Sequence, residues 1–393
     1  MDREKEAWEK LQQSTMSGPA RWILMILFLV GVGAIFVADL WKPFGPRDAV
    51  LAFTGRSRPL EPSSGIPSKV LEWNREVLAD IDAFENQIAE ESILRATIPY
   101  YQWVFLRVLS TSGTGRVIVG RDGWYFLKEG LETTLGWGSK SNLQKADETV
   151  RQLAGRLAEL DIDLILMPVP GKAELYPARF SSRFTASEIL PILPRREQIY
   201  GNWDDLPGVT VVNAREAYRS VAAEDGVFFL ERDTHWTPAG MEAVLDQLLA
   251  ILRPQRVEKE GTIGEATTVT GPGDLVEMMD FPVKMTANQA VEVLMLAEQD
   301  VPTGEGANIV FLGDSFAAVY SDPVLGWGKS AGLRDRLPAR LGEPVEFFLN
   351  YGDPVSGPTR QLRRLLESKE EGRKLPRVVI WEFAERFLDE GNW

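Results

Sequence analysis

The chain has one histidine, His235, and no cysteine. Any reaction that needs an imidazole must use His235, and disulfides, cysteine-ligated zinc and thiol catalysis are excluded. His235 stands in Glu231-Arg232-Asp233-Thr234-His235-Trp236-Thr237-Pro238, two residues after Asp233. In an extended segment, residues i and i+2 project to the same side, so the Asp233 carboxylate can reach the ring. A base oriented by a carboxylate is what a serine nucleophile requires. The candidate nucleophile is Ser315, where the apolar run Phe311-Leu312 enters Gly313-Asp314-Ser315-Phe316. A serine at the carboxyl end of a strand lies where α/β sheets bind ligands. The N–H at the start of a following helix can help hold an oxyanion there. Each piece has a plain alternative: Ser315 as a helix cap, and His235 as a satisfied loop histidine. Taken together they favour a Ser315-His235-Asp233 triad for acyl-ester chemistry. A metal site would have only carboxylates to add to His235, so no metal or other cofactor is expected.

Two other strand-end segments offer polar groups. Met167-Pro168-Val169-Pro170-Gly171-Lys172 leads into Glu174 and Tyr176. Lys172 could bind an anionic sugar or simply be solvated, and Tyr176 is a further substrate candidate. Asn350-Tyr351-Gly352 follows another apolar run. Asn350 and Gly352 are the candidates for a second oxyanion donor.

These residues need a frame. Asp122-Gly123 between apolar runs signals a hairpin over 116–127. Short apolar runs at 162–167, 209–212, 308–312, 345–349 and 378–381 read as buried strands. Between them, helical patterns cover 143–160, 238–252 and 358–369, with Thr237 as N-cap and Pro238 opening the second. Buried strands alternating with helices predict an α/β fold with a doubly wound parallel sheet. Residues 261–306 are poorly patterned and read as an insertion. No internal repeat is found.

Upstream, 22–38 is an uninterrupted apolar run, and its extension to Trp41 adds only Asp39. At 1.5 Å per residue it spans roughly 25–30 Å, enough for a hydrocarbon core. It is longer than a cleaved signal and ends without a small-x-small site, so it reads as an uncleaved signal anchor. Lys and Arg are balanced across its flanks. A short N-terminal tail over 1–21 favours an inside N-terminus, with the large domain outside. Residues 42–68 are rich in Pro, Gly and Ser and read as a linker. Residues 69–96 have helical spacing at Val70, Val77, Ile81, Phe84 and Ile88, and the catalytic domain is expected from 69 to 393.

Apolar residues make up 44 % of the 393 and charged residues 25 %, a globular balance. The net charge of −14 disfavours nucleic acid, and an anionic polymer would need a local basic groove.

Six segments occur in an order that resembles a known family. They are Gly-Arg-Asp-Gly-Trp-Tyr-Phe-Leu (120–127), Pro-Val-Pro-Gly-Lys (168–172), Arg-Asp-Thr-His-Trp (232–236), Gly-Pro-Gly-Asp-Leu (271–275), Gly-Asp-Ser-Phe (313–316) and Ile-Trp-Glu-Phe-Ala-Glu-Arg (380–386). Together they resemble the alginate O-acetyltransferase group of SGNH-hydrolase-like proteins over roughly residues 115–390. The resemblance implies an SGNH-hydrolase-like fold and transfer of acetyl groups onto an exopolysaccharide outside the bacterial inner membrane. It implies Ser315 as nucleophile, His235 as base and Asp233 as orienting acid. It also implies a many-helix membrane acyltransferase as acetyl supplier. In ordinary SGNH esterases the serine precedes an Asp-x-x-His pair; here the pair comes first and is spaced Asp-x-His, as in the acetyltransferase group. An acetyl-esterase of the same fold, or a non-catalytic scaffold of a polysaccharide export complex, are the alternative readings.

Overall fold

Strands buried on both faces form the centre of the fold, as near-continuous apolar runs dictate. The computed structural model describes residues 26, 30, 114–137, 140–185, 188–252, 264–279, 288–297, 301–302, 306–367 and 374–393. The chain divides into two compact units, Met1–Phe105 and Leu106–Trp393. In the first unit Ile26 and Val30 are described, both helical and both exposed. The rest of the 22–41 run, the 42–68 linker and the 69–96 helix lie outside the described residues. Among the described residues no helix is long and apolar enough to cross a membrane.

The second unit opens with a hairpin of β1 (Val117–Val119) and β2 (Tyr125–Leu127). Asp122 and Gly123 both have positive φ at its turn, the conformation that Asp-Gly accommodates. The central sheet is built from β3 (Asp163–Val169), β4 (Val209–Val211), β7 (Ile309–Gly313), β8 (Val345–Leu349) and β9 (Val378–Ala384). All neighbours are parallel, in the order β4-β3-β9-β7-β8. Between β4 and β7 a separate two-stranded antiparallel ribbon pairs β5 (Glu265–Gly271) with β6 (Gln289–Met295).

Six longer helices cover the sheet: α1 (Lys140–Ala158), α2 (Pro194–Asp204), α3 (Ala214–Ala223), α4 (Pro238–Leu252), α5 (Leu333–Leu341) and α6 (Ser356–Glu367). Strand alternation sorts them into two cores. Ile165, Met167, Phe311 and Ile380 face α3, α4 and α5, while Leu164, Leu166, Leu312 and Trp381 face α1, α2 and α6. The apolar stripe of α1, Leu143, Ala146, Val150, Ala154 and Leu157, repeats every three to four residues and is buried. The Thr237 hydroxyl accepts the Gly240 N–H at 3.1 Å, capping α4. The expected parallel α/β sheet is thus observed, with helices on both faces.

Two strands run further than their apolar cores suggest. β3 continues through Pro168 to Val169. Leu164 donates its N–H toward β4, to Gly208 O, so the two-residue period puts the missing N–H of Pro168 on that side too. There β4 has already ended, and no ladder bond is lost. β9 continues past Trp381 through Glu382 to Ala384, because the buried Asp314 N–H donates to that carboxyl group at 3.0 Å. Beyond these ends, Glu385 donates its N–H to Val169 O at 2.9 Å. Its carboxylate receives Arg215 at 2.9 and 3.1 Å and the Tyr200 hydroxyl at 2.9 Å. Arg215 also donates to Glu174 at 2.5 Å. Burial first, and then the Glu385 charge, push the Glu174 carboxyl up to about 7.

Candidate active site

The segment 228–237 folds back on itself. Thr237 donates its N–H to Phe228 O at 2.8 Å and Leu230 to His235 O at 3.0 Å, with a bridge between Phe229 and Trp236. Asp233 and His235 sit at this return. Lys172 clamps it from below: its ammonium lies 2.6–3.1 Å from the carbonyls of Tyr125, Leu230, Glu231 and Asp233. Three N–H groups shared among four acceptors leave none for solvent. Trp124 and Phe126 lie 5.0 and 5.5 Å from the same ammonium, within cation–π range. Burial lowers the Lys172 pKa to about 7 against the opposing charges of Asp233, Asp274 and Glu231.

Ser315 opens a short helix, Ser315–Ala318, at the end of β7. Asp314 caps it by accepting the Phe316 N–H at 2.8 Å. Phe316 is buried against Phe229, Trp236 and the imidazole itself, whose ring centroid is 5.0 Å away. Truncating a buried phenylalanine to alanine costs about 3–5 kcal/mol, so this ring holds the serine turn and the histidine loop as one packed unit. Two residues past this helix, the Tyr320 hydroxyl donates to Trp236 O at 2.7 Å.

The three side chains then line up. His235 Nε2 is 2.8 Å from Ser315 Oγ, and His235 Nδ1 is 2.6 Å from Asp233 Oδ1. Asp233 Oδ1 also accepts the His235 N–H at 2.9 Å, which fixes the extended Asp-x-His geometry. Its Oδ2 accepts the Asp274 N–H at 2.9 Å and the Trp327 indole at 2.8 Å. Burial would raise the Asp233 pKa, but the His235 charge and the hydrogen bonds from the His235 ring, the Asp274 N–H and the Trp327 indole outweigh it and lower it to about 2. For His235, burial opposes the charged ring, while Asp233 beside it and then Asp274 and Asp314 raise its pKa overall. An ionised Asp233 holds the proton on Nδ1, leaving Nε2 to accept from the serine hydroxyl.

Asp274 brings a second carboxylate to the ring, 3.9 Å from His235 Nδ1. It follows Gly273, whose φ of +91° and close approach to Arg232 O leave no room for a side chain. Its oxygens take the Thr234 N–H at 2.8 Å and the Thr234 hydroxyl at 2.5 Å. Burial first, then Asp233, raise its pKa to about 6. Donor atoms of Asp233, His235 and Asp274 lie within 4.8 Å of one another, a spacing a cation could bridge. Those of Asp233 are already committed to N–H groups that a cation would displace.

The structure brings Ser315, His235 and Asp233 into one hydrogen-bonded line, and the other candidates make no described hydrogen bond to these side chains. Lys172 neither faces an anion site nor is solvated; backbone carbonyls occupy it. The Tyr176 hydroxyl accepts the Phe228 N–H at 2.7 Å, and its ring packs on Trp124 and Tyr218, a structural position. The Asn350 N–H donates to Gly313 O at 3.0 Å and is spent. Asn350 instead lines an open groove with Arg334 and Tyr351. Gly352 lies in an exposed turn with φ +87°, and no described contact joins it to Ser315. Trp327 and Asp274 escaped the sequence reading as site residues. Gly-Pro-Gly-Asp stood out as a motif, but nothing local aims Asp274 at residue 233, and Trp327 carries no local signal at all.

The family model described as SGNH hydrolase-like domain, acetyltransferase AlgX, matches residues 117–385, more than two thirds of the chain and every residue of this arrangement. The chain belongs to this SGNH hydrolase-like AlgX family. The resemblance to the alginate O-acetyltransferase group carried by the six motifs is therefore correct. An Azotobacter vinelandii relative described as probable alginate O-acetylase AlgJ is 26 % identical over 300 residues, covering 70 % of this chain and 71 % of the relative. A Pseudomonas aeruginosa relative of the same description is 25 % identical over 290 residues, with the same shares covered. Among solved structures, the O-acetyltransferase domain of Pseudomonas putida AlgJ superposes with a TM-score of 0.50 at 23 % identity. It covers 71 % of this chain and 94 % of that one, a likeness of fold. In this AlgX-family chain the parallel α/β sheet is the SGNH hydrolase-like feature.

Proposed function

We propose that this chain is an O-acetyltransferase that moves acetyl groups, through an acetyl-serine at residue 315, onto hydroxyls of an alginate-like bacterial exopolysaccharide. The observation that carries the reading is the continuous hydrogen-bonded line Ser315–His235–Asp233 in a member of the AlgX family. The names of the alginate O-acetylase relatives support the acceptor class.

In the first half-reaction Ser315 Oγ attacks the acetyl carbonyl and its proton passes to His235 Nε2. The tetrahedral intermediate collapses, and the leaving group takes that proton. In the second, a sugar hydroxyl gives its proton to Nε2 as its oxygen attacks the acetyl-serine. Ser315 leaves as alkoxide and regains the proton. Asp233 stays ionised throughout and stabilises the imidazolium in both halves. The Ser315 N–H, first in its helix and without an intrahelical acceptor, is suited to the developing oxyanion.

The apolar run over 22–41 is proposed as a single inner-membrane anchor, with the domain in the periplasm beside a many-helix acyltransferase that supplies the acetyl group. Ile26 and Val30, helical, apolar and exposed four residues apart, support an anchor. Protease added to spheroplasts should then cut within 42–68, and protection until lysis would reverse the orientation.

The central test is Ser315→Ala. It should lower acetylation of the polymer on the order of 10³-fold or more while leaving the fold intact. Polymer acetylation at the wild-type level in this variant would remove the acetyl-serine reading.

A further inference from the structure

A second pair of carboxyl groups lies directly beneath the serine turn. Asp314 and Glu382 are both at 0 % exposure. Glu382 projects from β9 beside β7, on the same face as Ile380, and its Oε2 accepts the Asp314 N–H at 3.0 Å. Asp314 Oδ1 accepts the Phe316 N–H. That leaves one oxygen on each, Asp314 Oδ2 and Glu382 Oε1, buried and without a donor. The Gly313 of Gly-Asp-Ser is explained by the same contact. A Cβ there would stand 2.7 Å from Glu382 Oε2, so only glycine lets the carboxyl group reach the Asp314 N–H.

Two ionised carboxylates buried side by side repel each other, and the Arg386 charge offsets this only in part. A single proton on the pair removes the repulsion, and an acid hydroxyl on Glu382 supplies a donor that Asp314 Oδ2 lacks. We propose that Glu382 is a neutral carboxylic acid that donates to Asp314 Oδ2, and that this shared proton is the positioning device for the Ser315 turn. The role for Ser315 rests on the acetyl-serine reading; the proton does not. Burial first and the Asp314 charge second hold the Glu382 pKa well above the carboxylate range, with Arg386 opposing. One negative charge remains on the pair, at Asp314, and that charge is among those that raise the His235 pKa. The acid therefore links the strand ends of β7 and β9 to the base as well as to the nucleophile.

The test is infrared spectroscopy of the full chain at about pH 9, where ordinary carboxyls, and Glu174 and Glu390 raised to about 7, are ionised. Wild type should keep a protonated-carboxyl C=O band that is missing from Glu382→Gln. The Gln amide replaces the acid as donor to Asp314, so Glu382→Gln should hydrolyse a chromogenic aryl acetate within about three-fold of wild type. Glu382→Leu, with no donor, should lose about ten-fold or more in kcat at unchanged KM. No acid band distinguishing wild type from Glu382→Gln, or a Gln variant as impaired as the Leu variant, would overturn the proposal. Failure of the acetyl-serine reading looks different: aryl-acetate turnover would survive Ser315→Ala while the carboxyl band stayed in place, and the shared proton would stand.

Discussion

His235 Nε2 and Ser315 Oγ stand 2.8 Å apart although 80 residues separate them in the chain. The contact is made by packing rather than by either loop alone. Phe316, next to the serine, fills the space between Phe229 and Trp236, which bracket the histidine return. Four expectations follow from how that contact is supported.

Lys172→Met should destabilise the domain by about 2–4 kcal/mol, because it strips the donor from buried carbonyls that hold the Asp233 loop. Urea unfolding measures the loss, and acetyl transfer should fall with it. An anion-binding role would instead raise KM for the polymer and leave the unfolding midpoint where it was.

Asp274→Asn should lower the His235 pKa, since the Asp274 carboxylate is one of the charges that raise it. A base that stays neutral to lower pH moves the acid limb of kcat/KM in the acidic direction. In wild type, Asp274 itself gains a proton as pH falls through about 6, weakening its hold on the ring in that window. NMR of the lone histidine reports the shift without assignment, and an unmoved titration would show that the 3.9 Å approach carries no coupling.

Trp327→Phe removes one hydrogen bond to Asp233 and little volume. A bond to a buried charge is worth about 1.5–3 kcal/mol, so kcat should drop roughly ten-fold or more. The Asp233 pKa should move up from about 2. A variant with wild-type kcat would make the indole contact incidental.

Arg215→Met leaves Glu174 and Glu385 buried without their cation. Breaking a buried pair from one side costs about 3–5 kcal/mol, read as a lower thermal midpoint. Pairing Arg215→Met with Glu174→Gln and Glu385→Gln should restore most of it; no recovery would assign the loss to packing instead.

Much of this was legible in the chain. The strand cores, the Asp-Gly turn and the Thr237 cap are local signals, and local geometry obeyed them. The lone histidine made the pairing with Asp233 a short deduction. What stayed hidden depends on partners distant in sequence. Lys172 looks free until four carbonyls converge on it. Glu382 looks like the end of a strand because a charged residue rarely continues one, and only the Asp314 N–H beneath it explains why it does. The helix α5 carries Pro338 in its interior, which argues against a helix until the packing of Leu333 and Leu337 is seen. The use of the Asn350 N–H is hidden for a similar reason: it completes the register between β7 and β8.

The strand order has a consequence for how the protein is made. β9 is the last of the five sheet strands to be synthesised, and it lies in the middle, between β3 and β7. Until residues 378–384 emerge, the earlier strands can form only two separate pairs, β4 with β3 and β7 with β8. Serine and histidine would meet across a sheet with its central strand missing. A nascent chain therefore lacks the keystone of its sheet, and acyl chemistry should switch on only once that final strand has slotted in.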